Sequence, residues 1–316
     1  MEILETKNPL FFILRSILEY FKNPKAIILS IFLFIFSLLN FLFNENLFLF
    51  FQEQKILQNK WLPLLAFFTL IIFSLVYLII FISLILVSFN SKKSFKEILE
   101  ESAKYFLKFF LSLILISIIS SFILFNIILF LSLIFSVIHF LFYKNKFSIF
   151  PIYFLAIIFF IYFSFPLFFP PFYIINSKEK ISKSIIKSYY FAFKNKFLIF
   201  PSLVLILALF VAFFYLILYL AYPNLKILDD LNKLEPKIFF NLKFDYLVLI
   251  SFFQNVVFLP ISIFFFSNCF KIFLKQEKEE SENKIKEKGE KISKIFITLL
   301  IFDFLVLISF FFLLKS

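Results

Sequence analysis

Seven long apolar runs limit what this chain can fold into: residues 26–43, 62–89, 109–143, 147–176, 197–222, 246–270 and 295–314. Six of them carry no formal charge, and the last carries one. A helix rising 1.5 Å per residue needs roughly 18 to 20 such residues to cross about 30 Å of hydrocarbon, and every run reaches that length. A transmembrane barrel would instead show segments of about ten residues alternating between apolar and polar, which this sequence does not have. With 62% hydrophobic residues and a mean hydropathy of +1.00, the chain also lies outside the roughly 45–50% apolar usage of soluble domains. The sequence reads as an all-α, polytopic helical membrane protein with about seven transmembrane helices.

The third run leaves a choice. Its 35 residues make either one long helix with an outer extension or two short helices broken near Asn126. Basic residues decide, because the cytoplasmic loops of membrane proteins are enriched in Lys and Arg. With one helix and a cytoplasmic N-terminus, the inner segments hold 4, 5, 6 and 8 basic residues, which is 23 of the 32, against 9 outside. Splitting the run would leave 16 on each side. The asymmetric solution gives seven spans with the N-terminus inside, in a multi-pass plasma-membrane protein. The first residues lack the basic, apolar and A-x-A succession of a cleaved signal peptide, so the first spanning helix is expected to direct insertion.

Three cytoplasmic segments share a pattern: "ILRSILEYFKN" from Ile13, "ILEESAKYFLK" from Ile98 and "IIKSYYFAFKN" from Ile185. The first and third are identical at five of eleven positions, namely Ile13 with Ile185, Ser16 with Ser188, Phe21 with Phe193, Lys22 with Lys194, and Asn23 with Asn195. The middle copy keeps Ile98, Leu99, Tyr105 and Phe106 in register. In the third copy Ile185, Ile186, Tyr189, Tyr190 and Phe193 fall on one helical face, with Lys183, Lys187 and Lys194 elsewhere. Such a helix can lie along the membrane interface. The expected organisation is a threefold parallel repeat of an interfacial helix plus a transmembrane hairpin. Residues 1–270 then form a six-helix membrane domain with repeats at about 10–90, 91–176 and 177–270. A charged cytoplasmic linker follows at 271–294, read as a solvated helix or flexible connection, and a seventh helix at 295–316.

The chemistry-bearing residues are few. Phe occurs 60 times while Gly occurs once, a skew that AT-rich codons explain and that points to an AT-rich prokaryotic genome. With only Gly289 there is no GxxxG packing and no Gly-rich phosphate loop, so helix contacts must rest on Ser, Ala and interlocking large side chains. Cys269 and His139 stand alone, so neither an intramolecular disulfide nor a His/Cys metal site is expected. No cofactor is expected, and no Ser nucleophile has a readable base beside it. The acids of the external loop, Asp229, Asp230, Glu235 and Asp245, read as solvated surface. The net charge of +12 comes chiefly from inner lysines and suits anionic lipid headgroups rather than nucleic acid. Arg15, Lys22, Lys183, Lys187 and Lys194 are the basic-helix residues expected to meet those headgroups or a protein partner at the cytoplasmic loops.

One acid interrupts a span: Asp303 in "LLIFDFLVL". A central Asp costs roughly 2.5–3.5 kcal/mol on the insertion scale, whereas 17 Leu, Ile, Phe and Val residues supply roughly 7, so the helix still inserts. The economical picture is a protonated Asp303 hydrogen-bonded to Asn268, Gln254, Asn255 or Asn126; proton coupling is the functional alternative. Pro166, Pro170 and Pro171, with Pro260, are expected to kink or end helices.

The stretch "PPFYIINSKEKISKSIIKSYYFAFKNKFLIFPSLVLILALF" from Pro170 resembles a group of prokaryotic multi-pass membrane proteins of unassigned function. In that group a Pro-containing helix end, a short polar turn and a basic helix with a central Ser run into an aromatic-rich span. Here those elements are Pro171, Asn176 to Lys180, Lys187 with Ser188, and Lys194 with Asn195. The membrane domain joined to some glycerophosphodiester phosphodiesterases has the same pattern. No soluble phosphodiesterase domain accompanies the match, so that activity is not expected. The resemblance covers about forty residues and implies fold more than function. The expected role is a non-enzymatic accessory or scaffold component of the plasma membrane, with a transporter or lipid-handling protein as the alternative.

Overall fold

The computed structural model describes residues 8–52, 62–90, 92–141, 150–221 and 244–280, and single positions at 287, 291, 294 and 298. Among these every regular element is helical: α1 (Pro9–Phe21), α2 (Pro24–Gln52), α3 (Leu62–Phe89), α4 (Phe95–Leu141), α5 (Phe150–Ser164), α6 (Pro170–Asn176), α7 (Ile181–Lys194), α8 (Lys196–Ala221), α9 (Phe244–Phe252) and α10 (Leu259–Glu279). Five stretches are long and apolar enough to cross a membrane: Phe67–Phe89, Phe95–Leu129, Ile157–Asn176, Lys196–Ile217 and Val248–Glu279. A sixth appears if α1 and the first part of α2, bent by 86° to each other, count as one span. The seventh run, with Asp303, lies outside the described residues apart from Thr298, as do Asp229, Asp230 and Glu235 of the external loop, whereas Asp245 stands at the second position of α9.

Local chemistry sets where these helices start and stop. Asn8 caps α1, its Oδ1 accepting from the Leu10 amide at 3.0 Å, and Pro9 stands at the first helical position, where no amide hydrogen is needed. Asn23 closes α1 and opens α2: its amide donates to Tyr20 O, and its own carbonyl accepts from Ala26 and Ile27. Asn195 does the same between α7 and α8, donating to Phe191 and Ala192 and accepting from Leu198 and Ile199. The middle segment departs from the expected interfacial helix. A capping box starts α4, with Ser94 N–H donating to Glu97 Oε2 at 2.7 Å and Glu97 N–H to Ser94 Oγ at 3.3 Å. The helix then runs unbroken through the segment and the span, because Lys108 occupies the position of Asn23 and Asn195 and no proline follows. It also passes straight through Asn126, whose side-chain amide donates to Phe122 O one turn back.

The chain divides into two compact units, Met1–Phe106 with Pro201–Cys269, and Leu107–Phe200 with Phe270–Ser316. In the first, small serines let helices approach: Ser83 and Ser102 hydroxyls meet at 2.7 Å, Ser251 donates to Ser37 at 3.2 Å, and Asn268 donates to Ser16 at 3.3 Å. Rings fill the remaining space, as where Phe12 meets Phe265 edge-on at 5.9 Å. In the second, Ile123, Ile127 and Leu131 of α4 pack with Leu167 and Tyr189. Pro166, Pro170 and Pro171 end the span there as a 3-10 turn, Phe165–Phe168, followed by the short α6.

Pro260 has a consequence of its own. It has no amide hydrogen to give the carbonyl of Val256, four residues back, and a π turn, Phe253–Phe258, precedes it. Tyr20, fully buried on α1, donates its hydroxyl to that carbonyl at 2.5 Å. Replacing Tyr20 by Phe is therefore expected to destabilise the protein by about 0.5–1.5 kcal/mol in detergent unfolding measurements. In a Pro260→Ala background, where residue 260 regains an amide donor, the same replacement should cost less.

Candidate functional site

The most unusual feature of the described residues is a lysine inside the second unit. Lys187 stands in the middle of α7 and its side chain is 4% exposed. The sequence reading put it off the apolar face; the structure turns it inward, where three elements meet. The proline-broken span end provides α6 and with it Tyr173, which is fully buried. The turn after α6 carries Glu179 and is tight enough to hold Lys178 at φ 53°, a left-handed conformation that in a chain with one glycine falls to a lysine. Lys180 then takes the extended conformation that begins α7, accepting from the Ser184 amide at 2.9 Å. The last turn of α10 supplies Gln276 and Glu277, and Glu280 follows directly after it.

Lys187 donates to Glu179 and to Glu277 and lies 5.9 Å from the centre of the Tyr173 ring. One helical turn along α7, Tyr190 donates its hydroxyl to Glu280 Oε2 at 2.5 Å, and Lys194 pairs with the other oxygen of the same carboxylate. Asn195 and Gln276 exchange amide hydrogen bonds at 2.9 and 3.1 Å. Beneath this polar clasp lies an aromatic floor: Tyr173 meets Phe270 edge-on at 4.5 Å, Phe169 and Phe273 are 4.6 Å apart, and Phe191 stacks on Phe273 at 5.8 Å. Aromatic surroundings make each of these charged bonds stronger than it would be in water, and make a missing partner costly.

Titration follows from that geometry. Burial alone would lower the Lys187 amine, but its hydrogen bonds to Glu179 and Glu277, and their charges, outweigh burial and hold it above its ordinary value. Burial and the Glu280 carboxylate push the Tyr190 hydroxyl up to about 12. In both residues the folded state favours the protonated form. Their contribution is therefore complete below the ordinary values of 10.5 and 10.0 and is lost as pH rises above them.

The other sequence-derived residues are spread between the two units. Arg15 pairs with Glu19 one turn along α1 at 2.8 Å, and Lys22, Lys183 and Lys194 have exposed side chains. Asn268 is buried and bonded to Ser16; Gln254 is exposed on the π turn; Asn255 accepts from Tyr77 at 3.2 Å and donates to the Ser251 carbonyl. These three belong to the first unit and Asn126 to the second. Asp303, the residue they were expected to meet, is outside the described residues.

Sequence reasoning missed Tyr173, Glu179, Tyr190, Gln276, Glu277 and Glu280. One signal was available: Glu179 is the only acid among the six lysines of residues 178–196. Among the described residues no three His, Cys, Asp or Glu side chains come together. No family model matches the chain, and no curated protein or solved structure is significantly similar to it.

Lys187→Met is expected to cost about 3 kcal/mol in detergent unfolding measurements, because it leaves two carboxylates without their counter-charge. Lys180→Met, on an exposed side chain, should stay within about 0.5 kcal/mol. Raising the pH from 10.0 towards 12 should weaken the wild type more than Lys187→Met, since the variant no longer has the Lys187 amine to lose its proton.

Proposed function

We propose that this chain is a seven-span plasma-membrane protein of prokaryotic type with its N-terminus inside, and that it acts without catalysis, as an accessory or scaffold component. The observation that carries this reading is the clasp itself. At the end of the spans that the lysine distribution places in the cytoplasm, α7 is bound to the end of α10 by ion pairs that consume the buried charges. Such a centre fixes helices to each other and leaves the exposed Lys178 and Lys180 on a basic surface. Anionic headgroups, or a protein partner with an acidic surface, match that charge.

The threefold parallel repeat belongs to the same proposal. Asn23 and Asn195 occupy equivalent positions between an amphipathic helix and a span and make matching backbone bonds. Ser16 and Ser188 are both fully buried and donate one turn back, to Phe12 O at 2.9 Å and Ser184 O at 2.6 Å. The middle unit has lost the break and kept the span.

Native mass spectrometry of the gently solubilised protein from its own host tests the role. A stoichiometric second protein is the expected result. Retention of only a lipid or small molecule would favour the transporter or lipid-handling reading, which Asp303→Asn in a proteoliposome flux assay would then examine. Topology is tested separately: in a Cys269→Ser background, cysteines at Ser182, which is exposed, and at Asn232 should be labelled from opposite sides. Labelling from the same side would sink the seven-span arrangement.

A further inference from the structure

α1 divides into three sectors around its axis. Phe12, Ile13, Ser16 and Tyr20 are buried within the first unit. Arg15 and Glu19 form a half-exposed charged edge, continued by exposed Lys22. The third sector is Leu10, Leu14, Leu18 and Phe21, spaced so that they fall on one face, and exposed by 54%, 50%, 58% and 56%. A contiguous stripe of large apolar side chains left half open has to be covered by something.

Three observations say what covers it. The stripe leads into the exposed apolar residues of α2, Ile28, Ile31, Ile35 and Leu39, on a helix that begins directly after α1. The 86° bend between the two turns the axis of α1 away from the direction in which α2 crosses, and so towards the membrane plane. Moreover α7, the segment equivalent to α1 by sequence, has no such stripe, because Tyr189, Tyr190, Phe191 and Ala192 are buried within its unit. Where α7 is covered by protein, α1 offers leucines beside an edge bearing Arg15 and Lys22, which suits acyl chains below a layer of phosphates.

We propose that α1 is a membrane-embedded surface helix whose Leu10, Leu14, Leu18 and Phe21 stripe is covered by the acyl chains of the leaflet holding its charged edge. The proposal rests on the membrane-spanning reading of the chain, and the test separates the two. In a Trp61→Phe background, which removes the sole tryptophan, Leu14→Trp and Leu18→Trp report on the stripe. Ile72→Trp reports on an exposed position, 59% open, within the span Phe67–Phe89. Each variant is reconstituted into phosphatidylcholine vesicles with brominated or unbrominated acyl chains. The expected result is that bromine quenches Leu14→Trp and Leu18→Trp in the same proportion as Ile72→Trp, with emission shifted to the blue. Full emission from both stripe positions beside a quenched Ile72→Trp would overturn the proposal, leaving water or a second copy as the cover. Full emission from all three would overturn the spanning reading as well.

Discussion

A polar group withdrawn from water must find its partner inside the protein, and in hydrocarbon there is no water to fall back on. The helices follow from this, since only intrahelical bonds satisfy a single spanning segment. So do the places where helices are interrupted. At Pro260 the ladder loses a donor, and a tyrosine from another helix supplies one to the Val256 carbonyl. Buried serines return their hydroxyl hydrogens to carbonyls on their own helices, as Ser30 does to Ala26 at 2.7 Å. The serines thus serve as the small residues that a chain with one glycine otherwise lacks.

The same requirement explains the clasp around Lys187. An ammonium group placed beside the buried Tyr173 ring is tolerable only with carboxylates next to it, and two come from distant parts of the chain, Glu179 in the turn before α7 and Glu277 near the end of α10. The outcome is mechanical: the end of one membrane helix is tied to the amphipathic helix that introduces another. Glu280 extends the tie by holding Tyr190 and Lys194 at once. The buried charges of the clasp thereby neutralise one another.

Comparing the amphipathic segments shows how small sequence changes redirect a fold. Asn at positions 23 and 195 permits a turn, since its backbone can end one helix and start the next, and Pro24 forbids simple continuation of α1. Lys108 at the matching place offers neither device, and α4 runs on through the membrane. The first and third segments then diverge in their surroundings: α7 buries its aromatic residues against protein, and α1 leaves its leucines open.

The helical class, the positions of most spans and the interruptions at Pro166–Pro171 and Pro260 were legible in the sequence, whereas the unbroken run of α4 from the middle amphipathic segment into its span was not. The legible features depend on local quantities, namely the length of an apolar run and the loss of a donor at a proline. The unbroken passage through Asn126 was also readable, because one long helix preserved the excess of inner lysines. Which charges would be buried was not readable. Periodicity put Lys187 off the apolar face of its helix, and the segment 275–291 looked like a solvated connection. Only the tertiary structure could show that Lys187 is buried and that Gln276, Glu277 and Glu280, at the start of that segment, meet α7. Whether a lysine faces headgroups or a carboxylate depends on what the rest of the chain brings within about 3 Å of it, and Glu277 reaches Lys187 across ninety residues of sequence. Pattern within one helix records where its own side chains point; the choice between solvent, lipid and counter-ion is made by the neighbours that packing supplies.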